Sequence, residues 1–236
     1  MNGRGSNFYN LYKPKQFGEI LGQDQSISVL KKQSQLGAFG HSYLLYGASG
    51  TGKTTTARVL TSAMNCQSMD GTGEPCGKCQ SCKQIAKGSH IDTIELDGAR
   101  YRGVEDIKNL TYKARFAPFV GRYKTYIIDE AHSLTQDAQN CLLHLLEEPP
   151  PYLVIVLITT EPQKIIETVQ SRCQRFEFQR LSANTIKDKL LMIARDWGVD
   201  FNGSSEMLKG NLSKAVSSGN MREAENAFEQ MIMLEM

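Results

Sequence analysis

An α/β fold, a parallel sheet covered on both faces by helices and followed by a small three-helix unit, is what this sequence predicts. Three observations carry that expectation. The run "LLYGASGTGKTTTARVL" (44–60) passes from an apolar strand through a glycine-rich turn into a helix. Strand-like and helix-like patterns then alternate as far as "LVIVLITT" (153–160), which calls for crossover connections and hence parallel strands. From Leu181 onward only helical patterns remain. The chain of 236 residues is long enough for one sizeable core and a small second domain, divided here into 1–179 and 180–236.

Taken in order, Ser42 to Tyr46 read as the first strand, and Lys53 to Met64 as a helix with apolar residues at helical spacing. "IDTIEL" (91–96) reads as a strand, and Val104 to Ala114 as a helix entered through Gly103. "YKTYIIDEAH" (123–132) is a strand ending in acids. Thr135 caps a helix that runs to Glu148 and is stopped by three prolines. The unbroken apolar run at 153–160 suits a strand buried on both faces. Ser182 then caps a helix that runs to Trp197 and closes at Gly198. A second helix spans Ser204 to Val216, and a third starts near Met221. A unit of about 55 residues is marginal in isolation, so it leans on the first domain or on a neighbour.

Composition narrows the function classes. A net charge of +2 argues neither for nor against nucleic acid, so any basic surface is local. "MNGRGSNFYN" has no apolar segment of the kind a secretory signal needs. The longest apolar run, "LVIVLI", is far below the roughly 18 residues that suggest a membrane span. The expectation is a soluble, cytoplasmic protein with no membrane partner.

The glycine-rich turn fits G-x-x-x-x-G-K-[ST] through Gly47, Gly52, Lys53 and Thr54. Glycines let successive N–H groups point into one concavity and cradle phosphate, and the helix N-terminus adds about half a positive charge. Lys53 would neutralise the β- and γ-phosphates, and the Thr54 hydroxyl would ligate Mg²⁺. The nucleotide-binding stretch is therefore Gly47, Ala48, Ser49, Gly50, Thr51, Gly52, Lys53, Thr54 and Thr55. Asp129, at the end of a buried strand, is placed to hold Mg²⁺, and Glu130 to polarise the attacking water. A pair of solvated acids is the alternative reading. The letters D-E-A-H at 129–132 also occur in helicases, but those enzymes need two such cores.

Cys66, Cys76, Cys79 and Cys82 follow the pattern C-x9-C-x2-C-x2-C in a turn-rich loop. Four thiolates so spaced suit a closed, structural tetrahedral zinc site; free thiols are the alternative. Cys141 and Cys173 stand alone and read as ordinary buried thiols. A hydroxyl in "TTE" (159–161) would reach a γ-phosphate. Arg172 sits on the polar turn "SRC" (171–173), and Arg222 opens the third helix in "GNMREA" (219–224).

These motifs together resemble the γ/τ-type ATPase subunits of the bacterial DNA polymerase III clamp loader, an AAA+ family. "LYKPKQFGEILGQD", "ASGTGKTTTAR", "EPCGKCQSC", "RGVEDI", "RFAP", "GRYKTYIIDEAH", "LLEEPPP", "TTEPQKI" and "SRCQRF" follow in family order over nearly the whole chain. The resemblance implies that Tyr12 and Pro14 line the adenine pocket. It implies that Thr160 and Arg222 sense the γ-phosphate and that Arg172 is an arginine finger acting on a neighbour's nucleotide. ATP, Mg²⁺ and structural Zn²⁺ are the implied cofactors. The implied partners are a sliding clamp, other loader subunits in a pentameric spiral, and primer-template DNA. Arg100, Arg102 and Lys108 flank the helix that the family turns toward the duplex backbone, although a solvated basic face reads almost as well. For "RFAPF" (115–119), which could touch a partner, buried packing is the expectation.

The chain departs from the family in three places. "NCLLHLLEEPP" has His144 where a lysine is common, "MREAE" stands where "MRDAL" is usual, and the sequence stops at Met236, before the family's third, collar domain. The expectation is either a piece comprising the two ATPase domains or a divergent protein that assembles by other means. A branch-migration or helicase-loading ATPase, or a nucleotide-binding scaffold without turnover, are the rival readings. The cysteine insert and the SRC motif argue against the first, and the intact lysine, acids and arginines against the second.

Overall fold

The computed structural model describes residues 8–201 and 210–235. Five strands form one parallel sheet: β1 (Ser42–Gly47), β2 (Thr93–Asp97), β3 (Lys124–Asp129), β4 (Leu153–Thr159) and β5 (Gln174–Phe178), in the order β2-β3-β4-β1-β5. Around it lie α1 (Phe8–Leu11), α2 (Asp24–Leu36), α3 (Lys53–Asn65), α4 (Gln80–Ala86), α5 (Val104–Ala114), α6 (Gln136–Glu147) and α7 (Glu167–Gln170). The C-terminal helices are α8 (Ala183–Trp197), α9 (Gly210–Ser218) and α10 (Met221–Glu235). Among the described residues no helix is long and apolar enough to cross a membrane.

Strand alternation sorts the core into two layers. Tyr43, Leu45, Ile127, Val154, Val156 and Ile158 point to the side where α2 and α3 place Ile27, Leu30, Val59, Leu60 and Met64. Leu44, Tyr126, Ile128, Ile155 and Leu157 point to the opposite side, against Ile107 and Leu110 of α5 and Leu142 and Leu145 of α6. Every residue of β4 is buried, as its unbroken apolar run predicts. A third cluster joins Phe8 of α1 to Ile186, Leu190 and Ile193 of α8, Leu212 and Val216 of α9, and Phe228 and Ile232 of α10.

Several boundaries differ from the sequence expectation. β2 starts at Thr93, leaving Ile91 exposed, because Asp92 is used for another purpose. The strand expected to reach His132 ends at Asp129: Glu130 takes a left-handed backbone (φ 51°), and a 3-10 turn covers Ala131–Ser133. The helix expected at Ser204–Val216 is found at Gly210–Ser218, and residues 204–209 of that expectation lie outside the described residues. Two caps appear where expected. The Thr135 hydroxyl accepts the Ala138 N–H (3.2 Å), and the Ser182 hydroxyl accepts the Thr185 N–H (3.1 Å). Elements α1, α2, α4 and β5 carried no sequence expectation.

The Asp92 carboxylate, 2% exposed, accepts the backbone N–H groups of Phe119 (2.6 Å), Val120 (2.7 Å) and Gly121 (2.7 Å). Burial alone would raise its pKa; the three N–H groups outweigh burial and hold it below the ordinary aspartate value. With the backbone pinned this way, Phe116 and Phe119 stand 54% and 83% exposed beside exposed Tyr112 and Val120. The buried packing expected for "RFAPF" is therefore incorrect.

At the opposite end of the sheet, the turn after β1 touches α10. Gly50 has φ 73°, its carbonyl accepts the Met221 N–H (3.3 Å), and a Cβ there would lie 1.8 Å from Asn220 Oδ1. That same oxygen caps α10 by accepting the Glu223 N–H (3.2 Å).

Asp92→Ala is expected to lower the unfolding free energy by about 3 kcal/mol at neutral pH. Because the folded pKa is depressed, the stabilisation is present above the ordinary aspartate value and lost as pH falls through the folded pKa. Urea unfolding from neutral to acid pH checks this; a difference from wild type that stays constant as the pH falls would contradict it. Gly50→Ala is expected to cost about 2 kcal/mol or more, from left-handed strain plus a displaced cap. Gly37→Ala, with φ 64° and no atom within 4 Å of the new Cβ, should cost only about 1 kcal/mol. Equal losses in the same unfolding assay would show that the Gly50–Asn220 contact is immaterial.

Candidate functional site

The C-terminal ends of β1, β3 and β4 open onto a cleft of about 970 Å³, part of it continuous with solvent. One wall is the loop from Ser49 into the first turn of α3. The sequence folds this way because Gly47, with φ 138°, sits where a Cβ would meet the Phe178 carbonyl oxygen of β5, so the chain can turn only at a glycine.

Lys53 is the first residue of α3, and its ammonium donates to the carbonyls of Gly47 (2.8 Å) and Ala48 (2.6 Å). Burial lowers its pKa, against the upward pull of Asp129 and Glu130. One residue on, the Thr54 hydroxyl donates to Asp129 Oδ2 (2.8 Å). A hydroxyl and a carboxylate at that distance are hard oxygen donors of the kind a magnesium ion takes. The other Asp129 oxygen accepts the Glu130 N–H (2.9 Å), which helps hold the left-handed turn.

His132 occupies the space between two strand ends. Its Nδ1 lies 3.1 Å from Thr159 Oγ1 and 3.3 Å from Glu130 Oε2, and its Nε2 lies 3.4 Å from Glu161 Oε1. Thr159 is therefore fully engaged, whereas Thr160 lines the cleft. Sequence reasoning set His132 aside with the D-E-A-H letters; its position beside two acids is visible only in three dimensions.

The cleft brings together Pro14, Ser49 to Thr55, Asp129, Glu130, Thr160 and Arg222. Tyr12 does not line it. Its hydroxyl accepts the Trp197 indole N–H (3.0 Å), its ring packs edge-on against Phe8, and the Lys189 ammonium lies over it. Helical phase is the reason: Phe8 and Tyr12, joined by the Tyr12 N–H to the Phe8 carbonyl (2.9 Å), share the face turned to the helical core, while Tyr9 is turned to the cleft, which Lys13, just beyond the helix, also lines. Tyr9 takes the cleft position, with the guanidinium of Arg222 4.8 Å from its ring centroid. Lys13 is held down at about 8 by burial first, then by Arg58 and Arg222, with Glu95 and Asp129 opposing.

Arg172 lies away from the cleft. It pairs with Glu147 Oε1 (2.5 Å), donates to the Thr168 carbonyl (2.8 Å), and its side chain is 34% exposed. Arg100, Arg102 and Lys108 are exposed at the start of α5; Lys108 pairs with Glu105 (2.9 Å), and Arg100 packs on the Tyr101 ring. His144 is exposed on α6.

The sulfur atoms of Cys66, Cys76, Cys79 and Cys82 all lie within 4.8 Å of one another. Tetrahedral zinc–thiolate bonds of about 2.3 Å would set sulfurs about 3.8 Å apart, so the donor set fits the metal with a small contraction. Backbone N–H groups already point at these sulfurs, from Cys76 to Cys66 (3.3 Å), Cys79 to Cys76 (3.3 Å) and Cys82 to Cys79 (3.5 Å). Glu74 ties the loop to the body of the protein by accepting from Phe17 N–H (2.7 Å) and pairing with Lys31 (2.8 Å). Of the other two cysteines, Cys173 has its thiol raised to about 11 by burial, as an ordinary packed thiol would.

Comparison with known proteins places this geometry. Residues 22–182 match the family model described as "DNA polymerase III, delta subunit". The chain is 39% identical over 226 residues to DNA polymerase III subunit tau of Bacillus subtilis, covering 95% of this chain and 39% of that protein. It is 36% identical over 221 residues to the tau subunit of Escherichia coli, covering 94% and 34%. The chain thus spans well under half the length of these relatives. Among solved structures, the Thermotoga maritima RuvB Holliday junction branch migration motor superposes with TM-score 0.64 at 16% identity, over 95% of this chain and 67% of that one. A Thermotoga maritima DNA polymerase III gamma subunit-related protein gives 0.51 at 21% identity, over 91% and 72%. The solved structures share the fold, and the sequence matches give the lineage. The chain belongs to the DNA polymerase III, delta subunit, family, with the bacterial tau and gamma subunits as relatives over nearly its whole length.

Proposed function

We propose that the chain is an ATP-hydrolysing motor subunit of a clamp loader, acting in cytoplasmic DNA replication to place a sliding clamp on primed DNA. The observation that carries the reading is the convergence of Lys53, the Thr54–Asp129 pair, Glu130, Thr160 and Arg222 on one cleft, in a chain whose relatives are DNA polymerase III subunits. In this reading residues 1–179 form the ATPase domain and 180–236 a lid over its cleft.

The roles follow from charge and reach. Lys53 would leave the loop carbonyls for the more negative phosphate oxygens. Thr54 and Asp129 would hold a magnesium ion, whose charge offsets that of the phosphates. Glu130 would accept a proton from the attacking water, with His132 fixing its carboxylate. Thr160 would meet the γ-phosphate from the sheet and Arg222 from the lid. Arg172, remote from its own cleft, would complete a neighbouring subunit's site, exchanging Glu147 for phosphate. Arg100, Arg102 and Lys108 would face the duplex backbone inside the assembled spiral. The four cysteines would hold one structural zinc ion.

Lys53→Ala is expected to lower ATP turnover by about 100-fold or more. Arg172→Ala should leave ATP binding intact while reducing hydrolysis stimulated by primed DNA and clamp by about 1000-fold. Both are measured as phosphate release from the assembled loader; undiminished stimulation in Arg172→Ala would remove the finger assignment. Elemental analysis should find one zinc per chain, lost in Cys82→Ser. Binding should weaken as pH falls, because protons compete for the thiolates. Four thiols that titrate freely in the purified protein would contradict the zinc reading.

A further inference from the structure

The cleft has two chemically different kinds of lining. Phosphate-type donors and acids lie at the sheet edge. The same cleft is also lined by the apolar side chains of Pro14, Ile20, Leu21, Leu181 and Met221, and Lys189 and Glu225 are among its further polar groups, with Tyr9, Lys13 and Glu19. Glu225 lies on α10 one turn beyond Arg222, so the two side chains share a face of the helix. Glu225 is only 4% exposed. Among the described residues none donates a hydrogen bond to its carboxyl; Lys189 acts on it through charge alone, and the Lys189 ammonium donates instead to the Tyr12 carbonyl (3.3 Å). Burial pushes this carboxyl up to about 8, against the pull of Lys189.

A carboxyl so little exposed, to which no described residue donates, is costly to keep, and a ligand in the cleft it lines can supply the partner. Its position limits what that partner is. With phosphates at the sheet edge, the apolar lining is left for the flat, apolar faces of a base, and Glu225, lining the same cleft, is available to the base's polar rim. We propose that Glu225 is a specificity residue of the cleft that reads the exocyclic amino group of adenine; this rests on the reading of the cleft as an ATP site. A neutral carboxyl presents one O–H donor and one carbonyl acceptor side by side. The adenine edge presents an amino donor beside a ring-nitrogen acceptor, so the two surfaces match at two points.

The test uses two nucleotides, ATP and purine riboside triphosphate, which lacks only the amino group. Affinities are measured by calorimetry for wild type, Glu225→Gln and Glu225→Leu, with Glu225→Ala as a second truncation and thermal unfolding as the folding check. Wild type is expected to bind ATP roughly tenfold more tightly than the analogue. Glutamine, with an amide donor and acceptor in the same places, should keep that ratio. Leucine and alanine should bring it to about one by weakening ATP alone. A ratio unchanged in the truncated variants overturns the proposal, as does a ratio lost in the glutamine variant, which would assign Glu225 a purely ionic role. Lys53→Ala separates the two readings. If it weakens both nucleotides equally while Glu225→Leu changes nothing, the ATP site stands and the base-reading role falls. If wild type binds neither nucleotide, both fall.

Discussion

Parallel pairing of three central strands is the constraint on which the site depends. The register sets Tyr46 opposite Thr159 and Ile128 opposite Leu157, so β1, β3 and β4 finish at one edge of the sheet. From that edge β1 emits the glycine turn, β3 ends on Asp129 and β4 runs into Thr160. A slip of one residue in β3 would turn Tyr126 and Ile128 out of their layer and carry Asp129 away from Thr54. The two apolar layers therefore position the polar cleft.

The sheet was legible because its strands obey a simple rule. A strand buried on both faces must be apolar throughout, and β4 is; caps at Thr135, Ser182 and Gly198 announced helix ends through their own side-chain or backbone chemistry. β5 escaped because it is short, lies at the sheet edge, and buries only Phe176 and Phe178 of its five residues. α2 escaped because only Ile27, Leu30 and Ser34 of its thirteen residues are buried, a weak stripe in a polar segment.

The site was legible where function requires contiguous letters, as in the glycine turn and the cysteine cluster. It was less so where function depends on orientation. Tyr9 and Tyr12 are chemically equivalent in the sequence, and only the phase of α1 decides which enters the cleft. His132 reads as a strand residue until the left-handed turn at Glu130 swings it between Thr159 and Glu161. The exposed aromatics after α5 read as core residues until Asp92 is seen to fix their backbone.

One contact has a thermodynamic consequence beyond packing. The turn that forms the floor of the cleft and the first residues of α10 share atoms: Gly50 accepts from Met221 and abuts Asn220. Any ligand that moves this turn does work on α10, and linkage makes that work symmetrical. A force or partner that tilts α10 must change the ligand's affinity by the same factor by which the ligand biases the tilt. Helix α10 is therefore an instrument through which occupancy and mechanical load report on each other.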